Sequence, residues 1–90
     1  MNGNKLLAYG EHQMGSPEWP LCMGYIQGST DQIKTMRRVF GDSPISCVPA
    51  SVTIGQMMDV GVEYLRAHPE TRHLDASSLM LDAATKAFPC

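Results

Sequence analysis

The sequence has no excess of one charge, no long hydrophobic run and almost no strand signal. Seven Lys and Arg stand against nine Asp and Glu, which leaves a net charge of -2. Nucleic-acid affinity is dominated by basic contacts to phosphate, so this balance argues against a nucleic-acid partner. No run reaches the about 18 apolar residues that a membrane span needs, so no membrane association is expected.

The N-terminal region lacks the pattern of a signal peptide. Its first 25 residues contain no charged segment followed by an apolar one. A removed signal peptide would leave the same picture, so the compartment has to be argued from the cysteines.

The composition is that of a folded chain. Ninety residues with 43% hydrophobic and only 18% charged side chains are too apolar to remain disordered. We expect one domain over residues 1–90, and a chain of this size buries roughly 60 to 65% of its unfolded surface. Any function must then come from one small surface.

Apolar residues recur with a period near 3.6, which predicts helices throughout. The first should cover residues 2 to about 13, and the second should follow the turn at residues 15–20 and end near residue 40. The third should run from Thr53 to His68, before Pro69, and the fourth from near Asp75 to about residue 88. The sequence thus predicts an all-α fold, a small four-helix bundle with an ordered loop between helices two and three.

Two local patterns support these helices. Thr53 and Gln56 have the spacing of a capping box, in which each side chain accepts from the other's backbone amide. The second helix shows an apolar row at steps of four and three, which predicts its buried face. That row is Cys22, Ile26, Ser29, Ile33, Met36 and Phe40.

Catalytic and metal-binding motifs are not evident. His12, His68 and His73 lack the spacing of a zinc site, because His68 and His73 flank Pro69 and no cysteine or carboxylate cluster completes a ligand set. Ser29 follows Gly28 inside a predicted helix, unlike the serine of a nucleophile elbow. We predict no catalytic residue, no metal and no cofactor, and we expect the chain not to be an enzyme.

Three cysteines are present: Cys22, Cys47 and Cys90. They allow one bridge with one thiol left over, and the residues alone leave all three single pairings open. Each thiol taken alone is more often a small buried hydrophobe than a reactive group.

Several stretches, taken in order, resemble the Rap/Tai immunity proteins, which protect bacteria from peptidoglycan amidase effectors of the type VI secretion system. The resemblance covers most of the chain. It is carried by Gly3-Asn4 and Leu6-Leu7, by Cys22 to Gly28 (CMGYIQG), by Cys47-Val48-Pro49 and Val52 to Gln56 (VTIGQ), by Tyr64-Leu65, His68 to Glu70 and Arg72 to Leu74, and by Ala76 to Cys90, which ends in AFPC.

The resemblance implies an all-helical homodimer without enzymatic activity, exported to the periplasm, that occupies the substrate cleft of an amidase. It also implies a disulfide between Cys22 and Cys47, which would close a loop of 26 residues and contribute roughly 3.5 kcal/mol. One departure is Gly10, which stands where relatives often have a cysteine. Cys90 is therefore expected to be free, although a bridge between two copies stays open.

The leading hypothesis is a stoichiometric inhibitor with a preorganised binding surface. No family motif marks this surface, so we predict it from expected exposure. The predicted effector-binding residues are Gly41, Asp42, Ser43 and Pro44, within the segment 41–46, together with Asp59, Glu63 and Arg66 of helix three.

Two other functions remain open at this point. One is a non-catalytic helical interaction or small-ligand module unrelated to toxins, which a closed apolar pocket would favour. The other is a hydrolase that uses Cys22 or Cys90 as its nucleophile. Rapid alkylation by iodoacetamide at neutral pH would favour that hydrolase.

Overall fold

The computed structural model describes residues 1–11, 15–39 and 46–90. Within them the chain forms four α-helices and one short 3₁₀ helix, and no strand, which confirms the predicted all-α bundle. The helices are α1 (Gly3–Gly10), α2 (Glu18–Val39), α3 (Ile54–Ala67) and α4 (Ala76–Ala87), with the 3₁₀ helix at Pro69–Thr71.

The ends of α3 are set by local hydrogen bonds. The Thr53 hydroxyl accepts from the Gln56 amide at 3.1 Å and the Gln56 side chain accepts from the Thr53 amide at 2.7 Å, so the predicted capping box is confirmed. At the other end His68 is the C-cap, and its Nδ1 lies 2.8 Å from the Tyr64 carbonyl oxygen. Pro69 lacks the amide that would continue the helix.

The core row of α2 differs from the prediction at Ser29 and Met36, neither of which is buried. Ser29 is only half-buried, whereas Thr30 is 2% exposed and donates its hydroxyl to the Ile26 carbonyl at 2.8 Å. This bond satisfies the buried hydroxyl within its own helix, so Thr30 can face the core without a partner elsewhere. The buried residues of α2 are Cys22, Ile26, Thr30 and Ile33.

Helices α3 and α4 approach closely where Gly61 of α3 lies against the flexible side chain of Met80 on α4. A β-carbon at Gly61 would lie 2.7 Å from the Met80 sulfur, so a larger residue there would force the Met80 side chain to shift. Met57, Met58 and Met80 are all buried, as expected for methionines that fill gaps in a small core. Ala83 is also buried and lies beside Val60 and Tyr64 of α3.

The N-terminal residues are held against the turn that precedes α4. The Gly3 amide donates to the Leu74 carbonyl at 3.1 Å, and the Asn4 amide donates to the Arg72 carbonyl at 2.8 Å. The Ala76 amide in turn donates to the Met1 carbonyl at 3.1 Å. Three backbone hydrogen bonds therefore connect α1 to the beginning of α4.

The disulfide joins Cys47 to Cys90, so the predicted bridge between Cys22 and Cys47 was wrong, as was the prediction that Cys90 is free. The Cα atoms of the bridged pair are 5.0 Å apart, within the usual range. Cys22 is the free cysteine and is fully buried on α2. The Cys47 amide donates to the Phe88 carbonyl at 2.9 Å, which places Cys47 beside the C-terminal residues.

The predicted loop between helices two and three is described only from Ser46 onward. Ser46 is 1% exposed, and its hydroxyl lies 2.9 Å from the Ala84 carbonyl oxygen and 3.1 Å from that of Phe88. The expectation that the segment is exposed through residue 46 is therefore wrong at its last position, because this hydroxyl anchors the loop to α4. Several predicted positions lie outside the described residues: Gly41, Asp42, Ser43 and Pro44, and also His12 and Phe40.

Candidate functional site

Helix α3 places three exposed charged side chains along one side. Asp59, Glu63 and Arg66 follow each other at steps of four and three, which keeps them on the same face of a helix. The capping box fixes the beginning of this helix and its opposite face is buried through Met57 and Leu65. The three predicted binding residues therefore lie on a helix whose beginning and buried face are both fixed. Their role in binding stays a prediction.

A groove of about 510 Å³ adjoins these side chains, between α3 and the parts of α1 and α2 that face it. Trp19, in the first turn of α2, is partly buried and packs against the core cluster while it lines this groove. The groove, here called the α3 groove, is lined by Gly10, Trp19, Gly55, Met58, Asp59, Val62, Glu63 and Arg66.

An ion pair crosses the end of the α3 groove. Arg66 Nε donates to Glu11 Oε1 at 3.3 Å, and the two side chains are 62% and 45% exposed. An ion pair this exposed contributes little to stability, but it brings the end of α1 and the last turn of α3 together at the rim of the groove. With Asp59 and Glu63, the rim carries three carboxylates and one guanidinium, a surplus of negative charge.

The cysteines do not have the properties of a nucleophile. Burial raises the pKa of the Cys22 thiol above its ordinary value, which disfavours the thiolate. Cys90 is held in the disulfide. Across residues 1–11, 15–39 and 46–90, no three His, Cys, Asp or Glu side chains are grouped so that they could hold a metal ion.

Two of the other surface grooves formed by the described residues lie along α2. The first, between α2 and α4, has a volume of about 480 Å³, and none of its lining residues is charged; the set includes Tyr25, Gly28, Ile33, Ser78 and Leu81. The second, of about 390 Å³, lies between the last turns of α2 and residues 48–50 and carries a basic cluster. Its charged residues are Lys34, Arg37 and Arg38.

Sequence reasoning missed Trp19, which lines the α3 groove, and Glu11, which pairs with Arg66 at its rim. Trp19 stands between two prolines and reads as part of a turn, although tryptophan is enriched at binding surfaces and could have signalled the site. Glu11 carries no sequence signal of this kind. Its contact with Arg66 joins residues 55 positions apart, which only the packing of α1 on α3 brings together.

These features define a small, disulfide-linked, all-helical protein whose charged groove lies on its surface. A family model described as Rap1a immunity proteins matches residues 2–90, essentially the whole chain. The chain belongs to the Rap1a immunity protein family. No curated protein and no solved structure gives a significant match.

Membership of this family has direct consequences. Immunity proteins bind a cognate effector, and this family is generally non-catalytic and of the secreted type. The Cys47–Cys90 disulfide fits an oxidising compartment. In the described ranges no helix combines the length and apolar character of a membrane span.

Proposed function

We propose that this protein is a periplasmic, homodimeric immunity protein that binds a peptidoglycan amidase effector of the type VI secretion system and blocks its active-site cleft. Membership of the Rap1a family supports the immunity role. The proposal goes beyond family membership in four respects: the amidase target, the secretion system, the periplasmic location and the homodimer.

The α3 groove carries the proposal as the effector-binding surface. Trp19 supplies a partly buried aromatic anchor, and Arg66 is held at the rim by Glu11. Tryptophan and arginine are the side chains that most often dominate interface affinity. Because these groups sit on helices, little side-chain and loop freedom has to be lost when the partner binds.

The charge of the groove indicates the chemistry of its partner. Asp59, Glu63 and Glu11 outnumber Arg66, so the effector should present positive charge around its cleft. Complementary charge accelerates encounter and suppresses wrong partners. A cleft lined with lysine or arginine would therefore fit this surface better than an acidic one.

The small-ligand alternative receives less support from the described part of the chain. Its grooves are open to the surface, and the charged α3 groove, at about 510 Å³, is the largest of those given above. Small-molecule sites typically enclose most of their ligand within largely apolar walls. A surface that is charged and open is more typical of a protein partner.

The proposal is tested by titrating the purified protein against the peptidoglycan amidase encoded beside its gene. Hydrolysis of peptidoglycan should cease at an equimolar ratio. Glu63→Lys should weaken inhibition at least about tenfold, which corresponds to about 1.4 kcal/mol, whereas Asp82→Lys is the matched control because Asp82 is exposed on α4 and does not line the groove.

Two results would count against the proposal in different ways. Undiminished hydrolysis at every ratio would remove the amidase as the target. Equal inhibition by the wild type and Glu63→Lys would instead show that the effector binds another surface.

A further inference from the structure

We propose that the groove between the last turns of α2 and residues 48–50, here called the α2 basic groove, is a binding site for a phosphomonoester. The phosphate is held by Lys34, Arg37 and Arg38, and the organic part of the ligand lies against residues 48–50. This site is additional to the effector-binding surface proposed above.

The α2 basic groove concentrates positive charge on a chain whose net charge is -2. Three of the seven Lys and Arg stand within residues 34–38; all three are exposed, all three line the groove, and no acidic residue lines it. Among the described side chains none forms an ion pair with them, whereas Arg66 of α3 pairs with Glu11. An anion in this groove therefore meets a local excess of positive charge that no neighbouring carboxylate offsets.

Helical spacing brings the three cations around one point. Lys34 precedes Arg37 by three residues and Arg38 by four, so their β-carbons are neighbours at about 5–6 Å. Like charges at this spacing repel each other and destabilise a helix. Arg37 and Arg38 lie in the last turn, where the helix dipole favours positive charge, but Lys34 lies one turn earlier, where that effect has faded. An anion bound between the three side chains removes the repulsion.

The number of cations favours a phosphomonoester over a carboxylate. At pH 7 a phosphomonoester carries about -1.5 to -2 charges and three strong acceptor oxygens. A carboxylate carries a single negative charge on two oxygens. The guanidinium groups of Arg37 and Arg38 have the planar fork that binds phosphate oxygens in pairs, and Lys34 adds a compact charge. A phosphate thus balances this cluster more completely.

The facing wall, residues 48–50, is apolar and fixed in place. It begins with Val48, which is 5% exposed and belongs to the core. The disulfide between Cys47 and Cys90 and the hydrogen bond from Ser46 to α4 hold the chain immediately before this wall. Because the wall is already ordered, little conformational freedom is lost when a ligand binds. An apolar wall beside a cationic one fits an anion that is joined to an organic group.

The size of the α2 basic groove also indicates an organic phosphate. Its volume of about 390 Å³ lies in the range of small-molecule sites. This volume corresponds to about a dozen water molecules at about 30 Å³ each, so a bare phosphate ion fills only part of it. The groove is open, but an anion held by charge-assisted hydrogen bonds does not need the enclosure that an apolar ligand needs.

The α2 basic groove is separate from the effector-binding surface. Trp19, which lines the α3 groove, and Arg37 lie on the same helix, 18 residues apart. This separation corresponds to about 27 Å along the helix axis. Substitutions in the basic groove should therefore leave inhibition of the amidase unchanged.

Nuclear magnetic resonance of the isotope-labelled, oxidised full chain tests the site. Glycerol 3-phosphate at low salt should shift the backbone amide signals of residues 34–38 together with those of Val48 and Ala50. The shifts should saturate with a Kd at or below about 1 mM. Added salt should weaken binding, because the cations are exposed and their charges are screened.

Lys34→Gln is the variant that tests the cationic wall. It should weaken binding of glycerol 3-phosphate at least about tenfold, because one charge-assisted hydrogen bond is lost. Lys86→Gln is the matched control, since it makes the same change at an exposed lysine of α4 that does not line the groove, and it should change the Kd less than about twofold. Lys34→Arg keeps the charge and should retain binding. Glutamine forms helix about as well as lysine, so the fold is preserved.

Two further ligands test the chemical class. Glycerate replaces the phosphate by a carboxylate, and inorganic phosphate lacks the organic part. Glycerol 3-phosphate should bind more tightly than either of them. Glycerate binding as tightly as glycerol 3-phosphate would overturn the phosphate assignment, and inorganic phosphate binding as tightly would overturn the role of residues 48–50.

The same phosphomonoester chemistry occurs in soluble esters and in lipid head groups. Sedimentation with phosphatidylcholine vesicles, with and without phosphatidic acid, distinguishes the two sources. Binding only to the vesicles with phosphatidic acid, lost in Lys34→Gln, assigns a lipid head group when glycerol 3-phosphate gives no shifts. Saturable shifts without vesicle binding assign a soluble ester.

Two results overturn the site itself. One is the absence of both amide shifts and vesicle binding. The other is an equal loss of binding in Lys34→Gln and Lys86→Gln, which shows diffuse attraction to the whole surface. Amidase inhibition by the same variants is measured separately, so failure of this site and failure of the effector proposal are distinguishable.

Discussion

Two contacts between segments of this bundle contain a cysteine, and only one of them is crosslinked. At one end Cys47 and Cys90 are covalently joined, and the Cys47 amide and the Ser46 hydroxyl bond to carbonyls of α4 and its cap. Where α1 meets α2, Cys22 faces Gly10 with no bond between the helices. The first contact combines a crosslink with hydrogen bonds, whereas the second has no crosslink.

The difference shows that contacts between segments of this bundle are stabilised either by a covalent bond or by hydrophobic burial. Residues 46–53 before α3 form no helix, although Val48 is buried in the core, and a covalent bond limits the freedom of this part of the chain in the unfolded state. Helices α1 and α2 bury Leu6, Leu7 and Ile26, so hydrophobic burial holds them without a bridge.

The largest expected effect comes from removing the bond at the crosslinked end. Replacing both Cys47 and Cys90 by alanine releases a loop closed across 43 positions, which the chain-entropy model puts at about 4 kcal/mol. Urea denaturation followed by circular dichroism measures the change. The Cys22→Ala variant is the control for cysteine replacement as such, since it leaves the bridge intact. A double variant as stable as the wild type would show that hydrogen bonding alone holds this end.

Adding a disulfide between α1 and α2 should change the free energy of unfolding by an intermediate amount and in the opposite direction. A β-carbon at Gly10 would lie 2.9 Å from the Cys22 sulfur, close to the about 3 Å between a β-carbon and the opposite sulfur that disulfide geometry requires. Gly10→Cys should therefore bridge to Cys22 on oxidation and raise the free energy of unfolding by up to about 3 kcal/mol relative to its reduced form.

The crowding at this position decides how much of that gain is realised. The same β-carbon would lie 3.0 Å from Val62 Cγ2, so Val62 has to shift slightly. Intact mass after oxidation reports the bridge as a loss of two hydrogens, and Gly10→Ala in parallel isolates the steric cost. A Gly10→Cys chain that keeps both thiols free under oxidant would contradict the expected geometry.

The smallest expected effect concerns the ionisation of Cys22. Burial raises the pKa of its thiol in the folded state. The stability this provides is complete below the unfolded pKa of about 8.5. It is lost as pH rises through the folded value, because the unfolded chain releases the proton first.

Wild-type unfolding free energy should thus fall more steeply above about pH 8.5 than that of Cys22→Ala. Urea titrations at a series of pH values measure the two slopes. Iodoacetamide at neutral pH should leave folded Cys22 unmodified and alkylate it after denaturation. Rapid labelling of the native protein would contradict the burial and revive the nucleophile hypothesis.

The helices were largely predictable because their ends carry local signals. The Thr53 and Gln56 pair and Pro69 delimit α3 through contacts within a few residues. The end of α1 was placed about three residues too late, since Gly10 and Glu11 close the helix earlier than the apolar pattern suggests. The choice of Thr30 over Ser29 at the core was also missed, because both hydroxyl residues fit the helical spacing.

The disulfide was not predictable from spacing because pairing depends on tertiary contacts. The apolar row correctly placed Cys22 in the core, which already weighed against a bridge to a residue in a loop. Likewise the exposure of Asp59, Glu63 and Arg66 followed from helical periodicity, whereas Trp19 and Glu11 join them only through packing.

The buried methionines have a chemical consequence in an oxidising compartment. Met57 and Met80 are at most 1% exposed, and Met80 has its sulfur against Gly61, where an added sulfoxide oxygen would have no room. Peroxide should therefore reach surface thioethers such as Met1, which is 46% exposed, well before these. Tight packing of α3 on α4 protects the core from the same class of chemistry that forms the disulfide.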